Sequence, residues 1–205
     1  MSAVHYFPTK LNLVKDTVVG GYSNSVGEKG LLGQQIDLSR TEAAVLSDTA
    51  TGTLLEGTYQ YVRISTTAPN TANELLRRGH AVYWEDRANF IVTTDATAVT
   101  LGNFAGVLVN PNSGSSALAA GDYCWIQVAG EATVETAAAA ASTSGLACTL
   151  GAATSNYFLS AADAGADATS GSNKVNVGTF SSDTVGAGPA TGTVQLKYLF
   201  NNYKR

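Results

Sequence analysis

Ionic side chains are few in this chain of 205 residues: Asp, Glu, Lys and Arg make up 14%, against roughly 25% in an average soluble domain. From Ala88 to Asn173 there is no Lys and no Arg. Basic contacts to phosphate dominate nucleic-acid affinity, so this middle portion argues against a nucleic-acid partner. Histidine occurs only as His5 and His80, and cysteine only as Cys124 and Cys148. Zinc sites gather three or four such ligands at short spacings. No such spacing exists here, so no metal is expected. Cys124, inside an apolar run beside Trp125, reads as a buried reduced thiol, and so does Cys148. No apolar run approaches the ~18 residues that span a bilayer, so no membrane partner is expected. The N-terminus lacks the charged and apolar regions of a secretory signal. Ser2 stands where myristoylation needs glycine. Synthesis in the cytoplasm is the corresponding expectation.

Catalytic patterns are also wanting. No Gly-x-Ser-x-Gly elbow is present, and Gly102-Asn-Phe-Ala-Gly106 lacks the lysine and following helix of a phosphate loop. Cys124 would need His80 as its base. His80 opens an apolar run and reads instead as an ordinary, partly exposed residue. Glu85, Asp86, Asp95, Asp122, Glu131 and Glu135 are candidates for a carboxylate pair, and Trp84 and Trp125 for a sugar platform. The simpler reading makes both tryptophans core residues of strands and Glu85-Asp86 a turn. Arg77-Arg78 could bind a small anion, but a solvated turn is the plainer reading. No catalytic residue and no cofactor site is therefore assigned.

What is present is a succession of short strands. The runs 57–66, 80–84, 89–94, 104–109, 123–128, 146–150, 156–160, 174–180 and 193–200 are apolar or alternating. Gly, Pro, Asn, Asp and Ser bound most of them, the pattern of an all-β sandwich or barrel. In the first, Tyr59, Tyr61 and Arg63 take one face, and Gln60, Val62 and Ile64 the other. Helix is confined to short turns. Ser39-Arg-Thr-Glu42 has capping-box spacing, and residues 74–78 could form one turn that stops at Gly79. The alanines at 137–141 read as a strand end followed by a loop, and 181–192 as a loop. No fixed-period repeat is visible. The fold expected is an all-β small barrel or sandwich with an extended N-terminal arm and a few short helical turns. The arm covers residues 1–33 and the β domain residues 34–205.

The central runs carry a resemblance. Leu76-Arg-Arg-Gly-His-Ala-Val-Tyr-Trp84 is followed by a Val/Thr strand ending at Asp95 and then by Phe104-Ala-Gly-Val107. Gly121-Asp-Tyr-Cys-Trp-Ile-Gln-Val128 and Gly130-Glu-Ala-Thr-Val134 come next. Over roughly residues 57–160 this order resembles the small β-barrel decoration, or cement, proteins of tailed-bacteriophage capsids. The resemblance implies a virion protein on the outer surface of the head that stabilises the shell, with the major capsid protein as partner. It implies no catalytic residues. The stretch before Gly57 and residues 161–205 lie outside it. A tail, neck or fibre-base component and a carbohydrate-binding β domain are the alternatives, with a cellular β protein behind them.

The arm carries Tyr6, Phe7, Leu11 and Leu13, yet glycines at 20, 21, 27, 30 and 33 interrupt it before the domain begins. Apolar groups on a segment that packs poorly at home need a partner. These four are therefore candidate contact residues, to a neighbouring subunit or to the capsid, in a homo-oligomer for which a trimer is favoured.

Overall fold

The structure is a computed structural model. It describes residues 32–47, 54–66, 78–93, 104–109, 120–136, 144–150, 158–160, 176–182 and 190–197. The all-β expectation holds. The described residues form ten strands and one short helix: β1 (Gln35–Leu38), α1 (Arg40–Leu46), β2 (Gly57–Ile64), β3 (Ala81–Asp86), β4 (Ile91–Thr93), β5 (Phe104–Leu108), β6 (Tyr123–Thr136), β7 (Ala147–Leu150), β8 (Phe158–Ser160), β9 (Asn176–Phe180) and β10 (Ala190–Leu196). Helix α1 begins where the capping box places it. The Ser39 hydroxyl accepts from the Glu42 N–H, and the Ser39 N–H donates to Glu42 Oε2 at 2.8 Å. The turn expected at 74–78 and the alanine run lie outside the described residues, Arg78 excepted.

Strands β2, β4, β3, β5 and β6 pair in that order, and β6 pairs back to β2, which closes a five-stranded barrel. Within it β2 and β4 are parallel, through Arg63↔Ile91 and Ile64↔Val92, and every other pair is antiparallel. Strand β6 is longer than the sequence suggested. It does not stop at Val128 but runs on to Thr136, 14 residues in all. Its second half starts another circuit, β6–β10–β9–β7–β8, which returns to β6 through the parallel bridge Thr136↔Phe158. Strand β10 begins at Ala190, inside the stretch 181–192 that reads as a loop.

The two circuits have the same connectivity and the same register. Ala81↔Val107 and Val82↔Gly106 are followed by a slip to Tyr83↔Phe104. Ala147↔Thr179 and Cys148↔Gly178 are followed by a slip to Thr149↔Asn176. Gln127 pairs with Val107, and Gln195 with Thr179. Outside the ladders, Gly79 N–H donates to the Leu108 carbonyl and Gly145 N–H to that of Phe180. Both glycines are left-handed, at φ 85° and 89°. The chain thus contains one barrel design twice, with β6 serving as last strand of the first barrel and first strand of the second. No period betrays it because the loops differ. Gly79 to Gly145 is 66 residues, Gln127 to Gln195 is 68, and Gly106 to Gly178 is 72.

Equivalent positions fill equivalent interiors. Val62, Val82, Trp84, Leu108, Ile126 and Val128 belong to the core of the first barrel. Val134, Cys148, Leu150, Phe180, Val194 and Leu196 take the same places in the second. The second core also receives Ala81, Tyr83, Phe104 and Val107 from the outer face of β3 and β5. On another face of the first barrel, Ile36, Leu38, Ala43 and Leu54 cover Tyr59, Tyr61 and Trp125. The first barrel is therefore covered on two sides. Its strands are buried on both faces, which gives continuous apolar runs rather than alternation. Trp84 and Trp125 are core residues, 5% and 1% exposed.

The middle glycine of β5 and of β9 tests the equivalence. A Cβ on Gly106 would stand 2.6 Å from the Gln127 carbonyl oxygen, and one on Gly178 would meet that of Gln195. Overpacking of this kind costs about 1–3 kcal/mol. Gly145 opens onto empty space and resists substitution only through its positive φ, a penalty of about 1–2 kcal/mol. We expect Gly106→Ala and Gly178→Ala to lower the urea-unfolding free energy by similar amounts, and by more than Gly145→Ala. Unequal losses would mean that the two glycines do different jobs.

Candidate functional site

A groove of about 550 Å³ runs along the junction of the two barrels. Thr133 and Glu135 from β6 and Thr191 and Thr193 from β10 line it, with Ser182, Leu55, Arg78 and Gly79. Its floor is the outer face of β6 and β10, the counterpart of the β2/β6 face that β1, α1 and Leu54 cover on the first barrel. Thr133 pairs with Thr193 as Tyr61 pairs with Trp125. The aromatic pair is buried, whereas the threonine pair is only partly so. Hydroxyls have replaced rings where no covering segment is described.

Gly79 shapes one wall. Its carbonyl accepts the Glu135 N–H at 2.9 Å, and a Cβ there would lie 2.9 Å from the Glu135 nitrogen. That close approach brings the next residue, His80, onto the Glu135 side chain. His80 Nε2 lies 2.9 Å from Glu135 Oε2, with side chains 5% and 20% exposed. An ionised carboxylate only accepts hydrogen bonds, so Nε2 carries the proton in this contact. This corrects the sequence reading of a partly exposed His80: the residue is buried, and its partner lies 55 positions away. His80 does not line the groove; it positions the carboxylate that does.

Arg78 forms the other charged lining group. Burial lowers its pKa, against an opposing contribution from Tyr59. The Tyr59 phenol is pushed up by burial. Its oxygen accepts the Leu55 N–H at 3.2 Å and donates to the Leu55 carbonyl. Arg78 is therefore part of a wall rather than a solvated turn. Arg77 lies outside the described residues.

The remaining candidates are scattered. Asp86 caps the turn after β3, accepting from the N–H groups of Ala88 and Asn89 and from Asn89 Nδ2. Those bonds, the Asn89 side chain foremost, hold its carboxyl below the usual value. Glu131 Oε1 accepts from the Ser181 hydroxyl at 3.1 Å. Glu85 is exposed, Asp122 is buried, and Asp95 lies outside the described residues. Cys124 and Cys148 are free and buried. Burial pushes both thiols up, with Asp122 adding to the effect at Cys124. Tyr6, Phe7, Leu11 and Leu13 lie outside the described residues. Among the described residues no cluster of three or more His, Cys, Asp and Glu side chains is placed to hold a metal ion. No described helix is long and apolar enough to cross a membrane.

The arrangement defines a class: an all-β protein built of a duplicated five-stranded barrel, with a hydroxyl-lined groove at the junction. The chain matches no family model, and it shows no significant similarity to a curated protein.

Two measurements check this geometry. His80→Leu strands a largely buried carboxylate and should cost about 1–3 kcal/mol. In a double-mutant cycle with Glu135→Gln the coupling should reach at least about 0.5 kcal/mol. Additive losses would mean that the pair contributes nothing as a pair. Both native thiols should resist a maleimide at pH 7.5 and react fully in guanidinium, because raised pKa and burial suppress the thiolate.

Proposed function

We propose that the chain is a virion structural protein, a decoration protein that binds the outer surface of a bacteriophage head and cements neighbouring capsid subunits. The duplication carries this reading. One rigid strand holds two barrels of the same design, so a single chain offers two surfaces, one from each barrel, at fixed separation. On a lattice of repeated subunits, two modest contacts held rigidly give an avidity that neither has alone. Self-association, with a trimer favoured, would multiply those contacts again. The weakly charged, Ser-, Thr- and Gly-rich composition suits broad contact with another protein. The resemblance of residues 57–160 to capsid cement proteins supports the same assignment. A carbohydrate reading resting on Trp84 or Trp125 loses its platform, since both rings are in the core.

The test is binding to heads of the phage whose genome encodes the chain. Purified protein added to heads that lack it should co-sediment at a fixed stoichiometry, raise the temperature at which the shell ruptures, and appear as density on the outer surface by cryo-EM. Density at the tail or neck, or no co-sedimentation, would overturn the proposal.

A further inference from the structure

We infer that the groove at Thr133 is a receptor for an extended peptide segment, and that its occupant is the N-terminal arm, residues 1–31, of a second copy of this chain. The inference rests on the self-association proposed above but not on capsid binding.

The first barrel shows how this position is filled. On the edge of β2, the Tyr61 N–H donates to the Gln34 carbonyl at 2.9 Å, and the Gly33 N–H donates to the Tyr61 carbonyl at 2.8 Å. Ile36 pairs with Tyr59 on one side of this bridge, and the Phe90 carbonyl accepts the Arg63 N–H on the other. In the second barrel the flanking positions are filled in the same way. Glu131 N–H donates to the Glu56 carbonyl at 3.0 Å and Glu135 N–H to the Gly79 carbonyl at 2.9 Å. Thr133 stands between them, at the place of Tyr61, with its N–H on the same edge. Its N–H and carbonyl point the same way as those of Glu131 and Glu135, away from β10, and no described strand pairs with Thr133 on that side. An open strand-edge position of this kind is what an added peptide strand completes.

The chain preceding Glu56 does not complete it, because other groups hold that segment back. The Tyr59 hydroxyl takes both backbone groups of Leu55, and Ser47 Oγ accepts the Leu54 N–H at 2.8 Å. Among the described residues nothing completes the position, and it faces a groove with room for a segment from elsewhere.

The arm sets out away from its own groove, toward a second copy. Strand β1 runs antiparallel to β2, with Leu38 opposite Gly57 and Gln35 opposite Gln60. Followed backwards, the chain therefore moves toward the Arg63 end of β2. The second barrel grows from the other end, where Gly57 faces Gly130. The arm thus starts at the end of the first barrel remote from its own groove and nearer to a neighbour placed head to tail. Thirty-one residues reach up to roughly 100 Å when extended. The arm also supplies glycines at 20, 21, 27 and 30, the residue type that makes the bridge in the first barrel. Head-to-tail contacts of this kind close into a ring when the rotation permits, and a ring is one route to a trimer.

The test uses the full chain in solution. Light scattering should give a multiple of the 21.1 kDa chain mass. Thr133→Pro removes an N–H that faces the groove and not β10, the one edge where a strand tolerates proline. Thr191→Trp fills the groove from its exposed rim. Each should raise the self-association dissociation constant at least tenfold, as should deletion of residues 2–31, with the thermal melt little changed for Thr191→Trp. A chain carrying Ser23→Cys mixed with one carrying Thr191→Cys should give an intermolecular cross-link with a bismaleimide, since the native thiols are buried. The inference is overturned if the wild type is monomeric, if Thr191→Trp keeps the wild-type mass, or if the mixed Ser23→Cys and Thr191→Cys chains do not cross-link. Head binding by the arm-deleted chain separates the two proposals. If it persists, the capsid reading stands without the exchange.

Discussion

Everything in this molecule depends on the continuity of one strand. The backbone of β6 gives its first half to β2 and β5 and its second half to β10 and β8, and both circuits close on it. Such sharing is possible only if the strand changes barrels without breaking its ladder. Gly130 makes the change. It sits at φ 89° against the Glu56 carbonyl and the Cα of Gly57, and a side chain there would meet backbone rather than a yielding side chain. The side chain of Gln127 reinforces the same spot, donating to the Glu131 carbonyl at 2.7 Å. A bend secured by a left-handed glycine and a buried amide holds the barrels in one orientation, which a linker of several residues would not do.

Much of the first barrel was legible because its signals are local. The capping box at Ser39 and Glu42, the core placement of Trp84 and Trp125, and the two faces of β2 follow from spacing and side-chain type alone. Tyr59 and Tyr61 do take the opposite face from Val62 and Ile64. What was hidden depended on partners far away in the chain. His80 opens an apolar run and gives no hint that Gly79 seats it against Glu135. Strand β10 starts early because Gly192, which looks like a loop residue, occupies the place that Cys124 holds in the first barrel. Phe90 adopts φ 54° with its ring over Gly33, a contact no local pattern announces. The run expected at 89–94 is a described strand only from Ile91 to Thr93.

The duplication was the least legible feature of all, for a physical reason. A barrel constrains the alternation of inward positions, the bulge between β3 and β5, and the glycine that lets β5 approach β6. It does not constrain which apolar side chain fills an inward place, so Trp84 can stand opposite Leu150 and Val82 opposite Cys148. Loops between strands vary freely in length, which erases any fixed period. The outer faces have diverged most. Tyr61 and Trp125 are buried under β1, α1 and Leu54, while Thr133 and Thr193 line a groove that no described segment covers. The place where the two copies differ most is therefore the place where no described segment covers the second, and the groove of the candidate site lies at that divergence.

The sharing of β6 also sets an order of assembly during synthesis. The first barrel cannot close until the ribosome has released Tyr123 to Gly130. The second cannot close until Ala190 to Leu196 have followed, since β10 pairs along the whole second half of β6. Meanwhile the side of β6 that will meet β10, Val134 included, stands unpaired on an already folded body, and sequence-distant pairings of this kind form slowly. The growing chain thus carries a temporary open edge for the time it takes to make some sixty residues, from Thr136 to Leu196. At elongation rates of about 5–20 residues per second that is several seconds. During that interval nascent chains on one message would be at greatest risk of pairing with each other rather than with themselves.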